Sequence, residues 1–312
     1  MVVSVPFLEP RIPEDKDFLL LKEMVLEREN WTFDYDKAGI KIWSRVSQHA
    51  SIKMVKVWSH FPTVSSRNLY NTILDPNYRP HWDPHLQHGC QIGYLNYNSV
   101  ISYYAVSCPP PLRTRDFVLQ TSWLDNGSEL FVINHSVCHK DYPPKKGFIR
   151  GISFFTGYLI KCTNPQGIVP AWIVNKCTQI FAPRFVKQLE KAAFGYQEWK
   201  SQNNPTLYPW LFPKQRQLPV ISLADCRPSH EEQESSFFKD LANANIKLDW
   251  WSREPQVRFA PTKKCSSELL VSNGQENKIS TITDRASNDV HSAPHTVKLP
   301  KEVSKKSGSK HT

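Results

Sequence analysis

The chain has 312 residues, 24 prolines against 11 glycines, and a formal net charge of +10 that is spread as +6 through Phe212 and +4 beyond. With no run of four basic residues and no nucleic-acid-binding signature, the charge excludes nucleic acid as the expected partner. Seven cysteines without a C-x-x-C pair, and no apolar run long enough to cross a bilayer, predict a soluble, cytoplasmic protein with reduced thiols.

Residues 14–30, EDKDFLLLKEMVLEREN, place Phe18, Leu21 and Val25 at helical spacing with acids in the first turn, and predict a first helix. WTFDYDKAGIKIWSRV alternates on both sides of DKAG and reads as a hairpin, and SIKMVKVWSHF continues the period of two. A short helix follows over residues 65–74 with Leu69 and Ile73 on one face. The stretch DPNYRPHWDP (75–84) then sets Arg79 and Asp83 four apart among aromatics. On one helical face their pairing would aim the guanidinium fork at a phosphodiester; the other reading is a surface ion pair.

Four strand candidates come next, GYLNYNSVISYYAVS, RDFVLQTSWL, ELFVINHSVCH and GFIRGISFFTGYLIKC, separated by proline- and glycine-rich turns. Tyr104, Phe117 and Phe154 lie on three of them, where rings either fill a core or surround a quaternary ammonium. A long helix over VPAWIVNKCTQIFAPRFVKQLEKAAFGYQEWKSQ is expected to bend at Pro183. One helix, a curved antiparallel sheet of about seven strands and one long helix across it describe an α+β domain that encloses a volume. Residues 1–13 read as an extension, 14–212 as the domain, and 213–312 as a mostly disordered, polar tail. No nucleophile, zinc or phosphate-loop motif appears, so no enzyme is expected. His81 and His85, or His135, Cys138 and His139, lack the geometry of a metal site.

YRPHWD (78–83), CPPPLRTRDFV (108–118), YPPKKGFIR (142–150), TGYLI (156–160), VPAWIVNK (169–176) and APRFVKQLEKA (182–192) together resemble the START lipid-transfer family, in its phosphatidylcholine-transfer branch. The resemblance covers about residues 14–212 and implies a helix-grip fold whose long C-terminal helix closes over a cavity for one phospholipid. It implies carriage of phosphatidylcholine or phosphatidylethanolamine between membranes, without chemistry or cofactor. Arg79 and Asp83 match the family's pair at the lipid phosphate, and Tyr104, Phe117 and Phe154 its aromatic positions around choline. Pro80 departs from the family's usual lysine, and a proline there removes a helical hydrogen bond.

The family has one more strand between the equivalents of Cys162 and Asn164, so the sheet is expected to be one strand short. Residues 163–168 reach only about 20 Å, against roughly 33 Å for a ten-residue strand. Either residues 156–162 leave the sheet or the helix docks from its other end beside a bare edge, as in a splice isoform with impaired lipid retention. On the long helix, Phe194 and Trp199 near Lys187 and Lys191, with Tyr196 and Lys200 in the same stretch, have the aromatic and basic mixture expected of a gate at a transiently visited membrane surface; a helix packed permanently on the sheet is the other reading. EEQESSFFKDLA (231–242) resembles the FFAT motif, with Phe237 and Phe238 as anchors for a VAP-type receptor of the endoplasmic reticulum. That motif implies the alternative function, a lipid-sensing adaptor recruited through its tail.

Overall fold

The Asp17 carboxylate accepts the N–H of Glu14 at 2.8 Å and closes the first turn of α1 (Asp15–Leu26), which turns Phe18, Leu21 and Met24 inward. The computed structural model describes residues 8–46, 53–108, 110–161, 178–228 and 254–259. In chain order follow β1 (Thr32–Lys37), β2 (Ile40–Val46), β3 (Lys53–Ser59), α2 (Ser66–Leu74) and the single turn α3 (Arg79–Trp82). Then come β4 (Leu86–Asn96), β5 (Ser99–Val106), β6 (Arg115–Asp125), β7 (Glu129–Ser136), β8 (Ile149–Arg150), β9 (Thr156–Lys161) and α4 (Thr178–Gln202). Ala38 and Gly39, with φ of 52° and 75°, make the two-residue turn of the first hairpin, whose twist matches its strands.

The strands form a three-stranded sheet, β1-β2-β3, and a six-stranded sheet, β4-β5-β6-β7-β9, with β8 paired parallel to β6. There are more strands than the sequence suggested, for two reasons. Residues 86–106 are a hairpin, not one strand: the Asn96 side chain accepts the Asn98 N–H at 3.0 Å and turns the chain without glycine or proline. GFIRGISFFTGYLIKC divides into β8 and β9, and Phe154 lies in the loop between them rather than on a strand.

β9 keeps its place, pairing with β7 from Thr156 to Lys161, so residues 156–161 do not leave the sheet. Its other edge has no strand partner among the described residues. Residues 162–177, where the extra family strand was looked for, lie outside the described residues.

β7 shows how the layers are built. Leu130 and Val132 face the core shared with α4, while Phe131 and Ile133 join Phe18, Leu21 and Met24 of α1 on the opposite face. Both faces are buried, which is why the strand reads as a continuous apolar run. The main cluster joins Ile40, Ile42, Val55 and Val57 of the small sheet to Val186, Leu189 and Tyr196 of α4.

Both expected boundaries move. Leu8 is buried, and Arg11 exchanges backbone hydrogen bonds with the Gln120 side chain, so part of the supposed extension belongs to the domain. The supposed tail packs through Pro228: Tyr94 donates its N–H to the Pro219 carbonyl and accepts the N–H of Ile221, both at 2.9 Å, and Cys226 is fully buried against β5 and β6. Ile221, Leu223 and Cys226, too few to mark an element by periodicity, anchor it. Farther on, Phe259 meets Phe131 edge-on at 5.7 Å, and Lys22 donates to the carbonyl of Arg258 at 2.9 Å.

Candidate functional site: an arginine-lined cavity under the long helix

Asp75 ends α2, and α3 opens one turn later. Pro80 occupies the second position of α3, where its N–H would have no helical acceptor in any case, so the turn forms undisturbed. Arg79 reaches Asp83 through Nε at 3.2 Å and Nη2 at 3.1 Å, both to Oδ2, while Oδ1 of Asp83 accepts the N–H of His85 at 3.1 Å. The aspartate is thereby fixed from two sides and fixes the arginine.

Arg79 lines an internal cavity of about 60 Å³ together with Gln91, Tyr104, Asn134 and Tyr158 on the sheet side and Phe185 from α4. About a third of its side chain, 30%, remains accessible. Burial opposes its charge, but the oxygens of Tyr104, Asp83 and Tyr158 outweigh that and hold its pKa above the ordinary value. The site is therefore a buried, permanent cation with one anionic partner, able to take a second anion such as a phosphodiester.

Tyr104 of β5 stands directly opposite Phe117 of β6, on one face of the sheet. The Arg79 guanidinium lies 4.6 Å from the Tyr104 ring centre, so that aromatic face already holds a cation of the protein's own. Both rings lean over glycines: a Cβ at Gly89 would stand 2.9 Å from Tyr104, and one at Gly151 would stand 2.2 Å from Phe117. The half-buried Phe154 is in the loop before β9, and neither it nor Phe117 lines the cavity.

The four expected gate residues divide. Lys187, Lys191 and Phe194 are exposed along one stripe of α4, with Phe194 68% accessible. Trp199 is half-buried against Tyr78 at 4.7 Å and His81 at 5.3 Å. Tyr196 and Lys200, expected in the same interfacial mixture, instead turn fully inward, because Asp75 is there to receive them. Each lies 2.9 Å from Oδ2 of buried Asp75. Tyr78 donates to the carbonyl of Ala192 at 2.9 Å, and Trp210 donates to Asn71 at 3.0 Å.

Sequence reasoning missed this clamp and the polar lining. Gln91, Thr121 and Asn134 are polar residues at inward strand positions, the one signal by which the lining was detectable. Phe237 and Phe238 lie outside the described residues. Among the described residues no helix is long and apolar enough to cross a membrane, and no three His, Cys, Asp or Glu side chains are grouped to hold a metal ion.

The model of the START domain matches residues 12–200. The chain is 33% identical to mouse START domain-containing protein 10 over 236 residues, which cover 71% of this chain and 81% of that one. It is 23% identical to rat phosphatidylcholine transfer protein over 193 residues, covering 56% of this chain and 89% of that one. The crystal structure of human STARD10 superposes with a TM-score of 0.68 at 30% identity, covering 75% of this chain and 99% of that one. Human StAR-related lipid transfer protein 5, at 15% identity, a TM-score of 0.51, and coverage of 58% and 94%, shares the fold.

Proposed function

Because this chain belongs to the START domain family, we propose that it binds one glycerophospholipid between α4 and the large sheet and carries it between membranes, performing no chemistry on it. The observation that carries this reading is Arg79, a cation steadied by Asp83 on the lining of the cavity under α4. A lipid phosphate is the anion that such a guanidinium suits, and the two acyl chains require an interior. About thirty methylenes at about 0.8 kcal/mol each cannot be left in water during transit.

The cavity of about 60 Å³ is smaller than the cargo. Thirty methylenes, each near the volume of a water molecule, need on the order of 900 Å³. Trp82, Phe185 and Trp210 line the space and would have to move outward with α4 as the chains enter. A phosphate at Arg79 would draw the guanidinium off the Tyr104 ring. The ring would then face the choline or ethanolamine ammonium, with Phe117 alongside.

The test is exchange of labelled phosphatidylcholine between vesicles, with native mass spectrometry to count bound lipid. Arg79→Ala should lose at least tenfold in transfer while folding normally, and Tyr104→Ala should lose more with phosphatidylcholine than with phosphatidylethanolamine. Exchange by Arg79→Ala at the wild-type rate would refute the assignment of the phosphate site.

A further inference from the structure

The small sheet has a second face, turned away from the Arg79 cavity. Its strands put Ile40, Ile42, Val55 and Val57 into the core, so Lys41, Trp43 and Arg45 of β2 and Lys56 and Trp58 of β3 turn outward, with Lys41 opposite Trp58 and Trp43 opposite Lys56. The end of α1 and the residues after it add Leu26, Arg28 and Trp31, and Lys161 comes from the end of β9. Together they line a hollow of about 470 Å³, several times the size of the inner cavity.

Its lining holds Arg28, Lys41, Lys56 and Lys161 and no carboxylate. Nearby, Glu27 is taken by Arg45 at 2.7 Å and Asp36 by Lys41 at 3.6 Å. Arg28, Lys56 and Lys161 have no carboxylate within ion-pair distance among the described residues. Lys56 caps α1 by donating to the carbonyls of Val25 and Glu27, and its ammonium lies 4.5 Å from the Trp31 ring. Burial lowers its pKa to about 8 with help from Arg45 and Arg28, against a smaller upward pull from Glu27, and a further anion would relieve the remaining cost. Around the hollow, Leu26, Phe33 and Val46 are 46%, 54% and 66% exposed.

Indoles favour the headgroup layer of a bilayer, and unmatched cations favour its anionic lipids. We propose that this outer face docks on anionic membranes, with Arg28, Lys56 and Lys161 around a lipid phosphate and Trp31, Trp43, Leu26 and Phe33 at headgroup depth. The proposal rests on the carrier reading only in that it puts the protein to work at membranes.

The full chain is sedimented with phosphatidylcholine vesicles containing about a third phosphatidylserine, and with pure phosphatidylcholine vesicles. Binding should require phosphatidylserine, weaken with salt, and fall at least about tenfold in Arg28→Glu/Lys161→Glu. Lys146→Glu/Lys214→Glu, at exposed positions outside the hollow, should bind as wild type, and Lys187→Glu/Lys191→Glu on α4 should lose far less than the Arg28 and Lys161 pair. Apart from the half-buried Lys161 these residues are exposed, and an unchanged melting curve verifies folding. Quenching of tryptophan fluorescence by brominated phosphatidylserine should shrink in Trp43→Phe. Undiminished binding by Arg28→Glu/Lys161→Glu, or loss of binding in the α4 pair instead, overturns the proposal. Absence of bound lipid in native mass spectrometry would strike the carrier reading and leave this docking result standing.

Discussion

The two halves of α4 are held by different physics. Toward its C-terminus, Tyr196 and Lys200 both reach Asp75, Tyr78 is bonded to the backbone at Ala192, and Trp199 lies tilted against Tyr78. Toward its N-terminus, Ala182, Val186 and Leu189 are buried by apolar contact, and Phe185 meets Trp82 at 5.9 Å between ring centres. Directional bonds between buried groups fix one arrangement, whereas apolar side chains can exchange neighbours at modest cost. The half that shows no such bonds among its described side chains also lines the cavity, through Phe185. A cargo entering from the bilayer should therefore displace the N-terminal half, with the Asp75 clamp as the stationary end.

The largest break in this contrast is Asp75→Ala. It leaves the Lys200 ammonium and the Tyr196 hydroxyl buried without their acceptor, and should cost about 3–5 kcal/mol in urea unfolding. Asp75→Leu/Lys200→Met removes both charges and should recover a good part of that loss. A cost below about 1 kcal/mol for Asp75→Ala would mean the clamp is not what fixes this end. Next in size is Arg79→Ala, placed under the half expected to move. It should forfeit about 1.5–3 kcal/mol of lipid affinity, roughly 10- to 150-fold, read by titration with a fluorescent phospholipid.

A smaller effect comes from the far side of the large sheet. His135 is buried beneath the N-terminal segment, and desolvation, with Arg11 nearby, holds its pKa down to about 3. As pH falls below about 6.5 the unfolded chain binds the proton first, so stability should fall between pH 6.5 and 3 and be level above. The slope is at most about 1.4 kcal/mol per unit, about that much in all at pH 5.5, and His135→Gln should flatten it in pH-dependent urea melts. Hydrogen exchange should show this loss in both halves of α4 alike, because His135 lies against neither. A loss confined to one half would show that the two are coupled to the sheet differently than proposed.

The sequence made some of this legible and hid the rest for physical reasons. α1, the DKAG hairpin and the pairing of Arg79 with Asp83 follow from local spacing, and each is where spacing puts it. The clamp is not local: Asp75 and Lys200 are 125 residues apart, and a lysine on an amphipathic helix reads as solvent-facing until its partner is known. The hairpin at Asn96 was hidden because an asparagine side chain replaced the usual turn residues. Residues 213–228 looked too polar to fold, yet Ile221, Leu223 and Cys226 use a core built by β4, β5 and β6 rather than one of their own. The cavity's size was equally beyond reach, since which aromatic rings fill a volume depends on rotamers and not on composition.

The smallest expected effect tests the moving half from outside. Arg184, Lys187, Lys191 and Phe194 follow one another at spacings of three and four along the exposed stripe of α4, and neither lysine has an ion-pair partner among the described residues. Lys187→Glu/Lys191→Glu should therefore change stability by no more than about 0.5 kcal/mol. If the N-terminal half swings into the headgroup layer to admit a lipid, those two cations lower the cost of its visit to an anionic surface. Transfer between phosphatidylserine-containing vesicles should then slow a few-fold, with the bound fraction little changed because docking resides on the outer sheet face. Between neutral vesicles the double variant should match wild type. Equal slowing on both kinds of vesicle would separate the stripe from membrane charge and return α4 to the role of a lid that opens without touching the bilayer.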